Sequence, residues 1–179
     1  MKKQILIAAM ALTTLAACQG EGTNPLLADW NTPYQTPPFN EIKVEHYAPA
    51  FDAAIAEARA EIDAIINNPE APTFENTIVA MEQSGELLGR VSGVFFVLNN
   101  CVTSEEMQQI VLNVTPKLTA LSNDVSLNPE LFARVKAVYD QRETLNLDTE
   151  DRQLLEESYK SFARSGALLE GEAQELYRQ

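Results

Sequence analysis

The chain has 179 residues and a formal net charge of −13, with 26 acidic against 13 basic side chains. This balance argues against nucleic acid as a partner, because phosphate binding needs clustered lysine and arginine. It also provides no basic patch for an anionic membrane surface.

The first 18 residues have the pattern of a lipoprotein export signal. Lys2 and Lys3 precede an apolar run over residues 5–15, which is shorter than the roughly 20 residues of a membrane-spanning helix. Residues 1–17 are therefore predicted to be a signal peptide. The tetrapeptide Leu15-Ala16-Ala17-Cys18 resembles the lipobox of bacterial lipoproteins. That resemblance implies an acylated Cys18 anchored to a bacterial membrane, on its periplasmic side or at the cell surface. An ordinary secretory signal with an incidental cysteine is the alternative.

Residues 18–40 are predicted to be the lipidated cysteine followed by an extended, proline-rich segment. Proline fixes its own φ and disfavours helix at the preceding residue. Aromatic residues in the same segment argue that it lies against the body of the protein from about Trp30, because burying each one is stabilising. The prolines and aromatics concerned are Pro25, Trp30, Pro33, Tyr34, Pro37, Pro38 and Phe39.

An amphipathic helix is predicted over residues 45–67. Its apolar positions recur at spacings of three and four, which places them on one face. They are Tyr47, Phe51, Ile55, Ala58, Ile62, Ile65 and Ile66. The breaker Asn67-Asn68-Pro69-Glu70-Ala71-Pro72 follows, and so short a link predicts that the next helix runs antiparallel to this one.

The longest helical periodicity of the chain covers residues 72–100, with Thr73 as its predicted N-cap. Gly85, Gly89 and Gly93 recur every four residues in this stretch. Each costs about 1 kcal/mol of helix propensity relative to alanine, so some contact should offset that cost. We expect the backbone of another helix to cross closely here, forming a helix-packing or channel-wall surface. A ligand pressed against the bare backbone is the alternative.

Three further helices are predicted, and no stretch alternates long enough to indicate a strand. One begins near Thr103 and continues to residue 123, with Pro116 expected to kink or split it. Another opens at Asn128-Pro129, and the next covers residues 149–164 with a stop at Gly166. A last helical pattern, Leu168, Leu169 and Leu176, continues to residue 179 without a terminating signal. The fold class is therefore all-α, with antiparallel hairpins stacked in a bundle over residues 41–179 and a C-terminal end that we expect to be truncated.

Candidate catalytic residues are scarce. His46 is the one histidine, and it is followed by Tyr47, so the His-Glu-x-x-His zinc motif is absent from this sequence. A lone histidine at a helix start is expected to cap or pack, and Cys101 is expected to be a small buried side chain. Adjacent acids on a helix point in different directions and are interpreted as solvated faces. These pairs are Glu105 with Glu106, Glu150 with Asp151, and Glu156 with Glu157.

Several short motifs, in order from about residue 24 to the end, resemble the start of the peptidyl-dipeptidases of the thimet oligopeptidase family, which also contains oligopeptidase A. The more distinctive ones are Tyr47-x-Pro49-Ala50-Phe51, Pro72-Thr73-Phe74-Glu75-Asn76-Thr77, Glu82-x-Ser84-Gly85, Arg90-Val91-x-x-Val94-Phe95-Phe96, Asp151-Arg152-Gln153-Leu154-Leu155-Glu156 and Phe162-x-Arg164-x-Gly166-Ala167-x-Leu169.

This resemblance implies an all-helical zinc metallopeptidase that cuts short peptides inside a deep channel and releases dipeptides from their C-terminus. The zinc motif of the family lies beyond the part matched here, so no catalytic or metal-binding residue is assigned to this chain. The chain is then expected to be the N-terminal channel-wall portion, inactive alone, whose partner is the missing C-terminal catalytic domain. The alternative is a complete, small helical lipoprotein that binds peptides or a protein partner without catalysis.

Overall fold

The computed structural model describes residues 24–169, and every regular element in that range is helical, which confirms the all-α class. The α-helices are α1 Tyr47–Ile66, α2 Ala80–Gln83, α3 Glu86–Val102, α4 Glu105–Ser126, α5 Pro129–Asp140 and α6 Thr149–Arg164. A π-helical turn, Phe74–Val79, leads into α2, and short 3-10 turns occupy Pro33–Gln35 and Val44–His46. The predicted signal peptide, Cys18 and Leu176 lie outside the described residues.

Helix α1 is the element on which most of the others pack. All of its predicted apolar positions from Tyr47 to Ile65 are buried. The ring of Tyr47, at the start of α1, lies 4.9 Å from that of Phe95 in the second half of α3, whereas Ala58, in the second half of α1, approaches Gly85 just before α3. Helix α3 therefore runs antiparallel to α1, as predicted for residues 72–100, although the π-helical turn and α2 lie between the two helices.

Two clusters of buried side chains lie at the two ends of α1. The first joins the start of α1 to α3 and α4, and it includes Phe51, Phe95 and Met107. The second joins the end of α1 to the π-helical turn, α5 and α6, and it includes Ile78 and Leu131. Ile55, Ala58 and Leu121 form a small contact between them. Helix α1 thus connects two groups of helices that touch little elsewhere.

The prediction of one continuous helix over residues 72–100 was wrong. The chain breaks at Ser84, which has extended backbone angles, and at Gly85, whose φ of 73° lies in the left-handed region that glycine tolerates best. The backbone N–H of Gly85 donates to Glu61 Oε2 at 2.7 Å, so a side chain of α1 fixes the break. Phe74 and Ile78 consequently belong to one cluster and Phe95 to the other.

The helix ends follow the local signals with one shift. Thr73 caps the π-helical turn by accepting from the Asn76 N–H at 3.0 Å, Asn128 caps α5, and the Gly166 stop after α6 has a φ of 86°. Helix α4, however, is capped by Ser104 rather than Thr103, because the Ser104 hydroxyl accepts from the Met107 N–H.

Helix α4 passes through Pro116 without interruption, so the predicted split does not occur. Proline removes one backbone donor from the helix interior, and water or neighbouring groups at an exposed position can satisfy the carbonyl that is left. Pro116 is itself exposed, and the buried side chains Val114 and Leu121 on either side of it hold the helix against α1. Packing has overridden a local breaker here.

The segment before α1 is anchored mainly by a leucine that sequence reasoning did not single out. Leu26 is fully buried in the first cluster. Trp30 is half-buried, donates from Nε1 to the carbonyl of Pro25 at 2.8 Å, and lies under the guanidinium of Arg90. Tyr34 and Phe39 are 99% and 56% exposed, so the expectation that the later aromatics are buried was wrong.

Candidate functional site

No metal-binding cluster exists among the residues that the structure describes. No group of three or more histidine, cysteine, aspartate or glutamate side chains in residues 24–169 is placed to hold a metal ion. His46 Nδ1 accepts a hydrogen bond from the Lys43 N–H at 3.0 Å. This bond closes the 3-10 turn ahead of α1, so His46 is a capping residue as its position predicted.

The paired carboxylates act as helix-surface charges. Glu156 and Glu157 both bond to Lys160 Nζ, at 3.2 and 3.1 Å. The hydrogen bond from Lys160 lowers the pKa of Glu157, and the same bond raises the pKa of Lys160. A carboxyl group whose pKa is lowered stays ionised near neutral pH and is a poor general acid. The other two pairs lie in the first turns of α4 and α6, where acids favour the helix dipole.

The three glycines that were predicted to share one face have different environments. Gly85 precedes α3 and turns the chain, with Ala58 Cβ at 3.9 Å from the position that its own Cβ would take. Gly89 and Gly93 lie within α3, and a Cβ added at either would meet nothing within 4 Å. Among the described residues, therefore, no helix crosses at Gly89 or Gly93, and the close crossing expected there stays a prediction.

Cys101 was predicted to be buried, and this was wrong, because its side chain is exposed near the end of α3. The helical periodicity could not indicate that Cys101 is exposed, because the nearby residues Leu98 and Val102 are also apolar. The lipidation candidate Cys18 lies outside the described residues. No helix between residues 24 and 169 is long and apolar enough to cross a bilayer.

Arg134 is a structural residue that sequence reasoning missed. It is 9% exposed, and it donates from Nη1 to the carbonyls of Asn68 and Glu70 and from Nη2 to Asn76 Oδ1, at 3.0, 3.4 and 3.2 Å. These bonds attach α5 to the α1 link and to the cap of the π-helical turn. Its position on the apolar face of α5, three residues after Leu131, was the signal that could have revealed it.

An open cleft of about 400 Å³ lies between the end of α1 and the π-helical turn with α2. Glu61, Asn68, Asn76, Gln83 and Ser84 supply its polar lining. Asn76 Oδ1 already accepts from Thr73, Thr77 and Arg134, and Glu61 already holds Gly85, so both side chains have structural roles. The lining of the cleft has amide and carboxylate groups and contains no histidine or thiol.

No family model matches the chain. Among curated proteins, it is 48% identical over 147 residues to the dipeptidyl carboxypeptidase of Salmonella typhimurium, which covers 82% of this chain and 22% of that protein. The dipeptidyl carboxypeptidase of Escherichia coli is 47% identical over 146 residues, or 82% of this chain and 21% of that protein. Oligopeptidase A of Salmonella typhimurium is 28% identical over 155 residues, or 87% and 22%.

The chain thus spans about a fifth of the length of the curated relatives that it matches, and the match falls in their N-terminal part. The two kinds of relative belong to one family of peptidases, and the identity to the first kind is close to one half. Over its matched residues, the chain is a homologue of the N-terminal part of the dipeptidyl carboxypeptidases, which are members of the thimet oligopeptidase family.

Proposed function

We propose that this chain is the N-terminal channel-wall portion of an exported zinc peptidase that releases dipeptides from the C-terminus of short peptides. The observation that carries the proposal is the 48% identity over 82% of the chain to one end of a dipeptidyl carboxypeptidase. The chain would form one wall of the channel. This wall would keep folded proteins out, so that only short, unfolded peptides enter.

Zinc in the longer parent enzyme is part of the same proposal, and the described residues do not fit a zinc site. His46 uses Nδ1 for its cap, and Cys101 is far along the chain from it on another helix. A hydrolytic zinc site is usually built from two or three histidines with a carboxylate. The zinc ligands and the residues that activate water must then come from outside residues 24–169, and no catalytic step is assigned to this chain.

A chimera tests the proposed function. The matched N-terminal segment of the Escherichia coli dipeptidyl carboxypeptidase is replaced by residues 24–169 of this chain, and dipeptide release from a peptide with a free C-terminus is followed by mass spectrometry. We expect the chimera to release dipeptides, because nearly half of the aligned residues are identical and the buried positions of α1 and α3 supply a complete core. A soluble chimera without activity, beside an active parent, would contradict the proposal.

We also propose that Cys18 is acylated and anchors the protein to a bacterial membrane. The support is the charged start, the short apolar run and the lipobox-like Leu15-Ala16-Ala17-Cys18. Several acyl chains contribute about 0.8 kcal/mol for each buried methylene, enough for stable anchoring. Changing Cys18 to serine should move the protein from the membrane fraction to the soluble fraction, with Cys101→Ser as the matched control that stays on the membrane. Unaltered membrane association of Cys18→Ser would rule out the anchor.

A further inference from the structure

The face of α3 that points away from α1 has no cover among the described residues. Four exposed residues, spaced four apart along the helix, lie on this face: Gly89, Gly93, Val97 and Cys101. We call these four residues the α3 outer face. Val97 is 61% exposed, and the space beside both glycines is open to beyond 4 Å. The opposite side of the same helix buries Val91, Val94 and Phe95 against α1.

This face is also unusually poor in charge for such an acidic protein. From Leu87 to Ser104 the chain carries one charged side chain, Arg90, although the whole sequence contains 26 acids. Arg90 lies beside the outer face rather than on it, because it covers Trp30 and donates to the carbonyl of Leu26. Solvated helix faces in this chain, such as that of α6, carry many charges. Depletion of charge together with exposed apolar side chains is typical of the centre of a protein interface.

The two glycines give the face its shape. Residues four apart on a helix are neighbours, so Gly89 and Gly93 leave a continuous shallow groove that ends at the side chain of Val97. A ridge of side chains from another helix fits such a groove, and missing side chains let two helix axes approach more closely. Packing of this kind would also offset the helix propensity that two exposed glycines cost. The groove therefore suits an uncharged helix better than a polar loop.

The length of the relatives indicates a source for that helix. They are more than four times as long as the segment that they share with this chain, so most of their residues lie beyond it and are available to supply such a helix. A second copy is disfavoured, because each copy brings a net charge of −13. We propose, resting on the proposed function, that the α3 outer face docks an apolar helix from the part of the longer peptidase that lies beyond the matched segment.

Cys101 is a native probe of this docking, because a thiol reacts only where reagent reaches it. The chimera and the 179-residue chain are alkylated with a maleimide, and modification of the Cys101 peptide is followed by mass spectrometry. We expect Cys101 to react about tenfold more slowly in the chimera than in the isolated chain. Val97→Glu should restore fast alkylation in the chimera, because it places a charge in the contact. Ala60→Glu, at an exposed position of α1, makes a similar change elsewhere and should leave Cys101 protected.

The outcomes separate this inference from the proposed function. Equal alkylation of Cys101 in the chimera and the isolated chain would overturn the docking surface, even if the chimera releases dipeptides. Protection of Cys101 in a soluble but inactive chimera would support the docking and contradict the proposed function. Protection in the isolated chain that is lost on dilution would identify a second copy as the occupant and overturn the proposed one. A chimera that never becomes soluble would count against both.

Discussion

Replacing Arg134 by methionine should lower the free energy of unfolding by about 2 kcal/mol, because two backbone carbonyls lose their side-chain donor at about 1 kcal/mol each. These carbonyls belong to Asn68 and Glu70, whereas Asn76 Oδ1, the third acceptor of the guanidinium, keeps its bonds from Thr73 and Thr77. Methionine keeps most of the volume of the side chain, so the loss reports the hydrogen bonds and not a cavity. The consequence is a loosened link between α1, the π-helical turn and α5.

Urea denaturation followed by circular dichroism measures this loss on the 179-residue chain. Lys136→Met is the matched control, because Lys136 lies on the exposed side of the same helix. Its bond to Asp140 joins two surface residues within α5 and connects no other element. The control should unfold at nearly the urea concentration of the original chain, since exposed pairs contribute little. If Arg134→Met also unfolded there, the buried guanidinium would have no anchoring role.

Replacing Phe95 by alanine should cost about 4 kcal/mol, within the usual range for a buried phenylalanine. Phe95 is fully buried, and its ring lies 4.9, 5.3 and 5.2 Å from those of Tyr47, Phe51 and Phe96, in edge-to-face geometry. Removing it leaves a cavity where α1 and α3 meet and deletes three aromatic contacts together. Burial in this cluster also raises the pKa of the Tyr47 phenol.

The control for this change is Phe39→Ala. Phe39 is 56% exposed, so this substitution removes the same ring from the protein surface. We expect the control to alter the free energy of unfolding by about 0.5 kcal/mol or less, as surface changes usually do. Thermal unfolding, followed by circular dichroism, ranks the two variants against the original chain. Similar midpoints for Phe95→Ala and Phe39→Ala would show that the first cluster does not stabilise the fold.

Features that depend on a few neighbouring residues were predictable from the sequence. The buried stripe of α1 follows from the spacing of its apolar residues, and the caps at Thr73 and Asn128 follow from a side-chain oxygen placed just before a helix. The Gly166 stop is equally local, since the left-handed angle there suits glycine.

Features that depend on distant residues were not predictable in this way. The break at Gly85 is fixed by Glu61 from another helix, and the periodicity of residues 72–100 continues across it without any sign. Arg134 is buried because the carbonyls of a loop over sixty residues away surround it. The exposure of Cys101 depends on which side of α3 meets α1, and a helix with apolar residues on several faces leaves that choice open.

The same limit applied to the candidate site. The scarcity of histidine and the absence of a zinc motif in this sequence predicted that its chemistry must be supplied elsewhere. The pattern of Gly85, Gly89 and Gly93 drew attention to α3, but it could not tell a contact inside the fold from a surface left open. Coordinates were needed to separate Gly85, which turns the chain, from the two glycines that face solvent.

We propose that this chain is a scaffold without a catalytic centre of its own. To test this, the purified 179-residue chain is incubated with zinc and a tetrapeptide that has a free C-terminus, and products are detected by mass spectrometry. We expect the tetrapeptide to stay intact, because the one histidine of the sequence caps a turn. Release of dipeptides that disappears on changing His46 to alanine would contradict it.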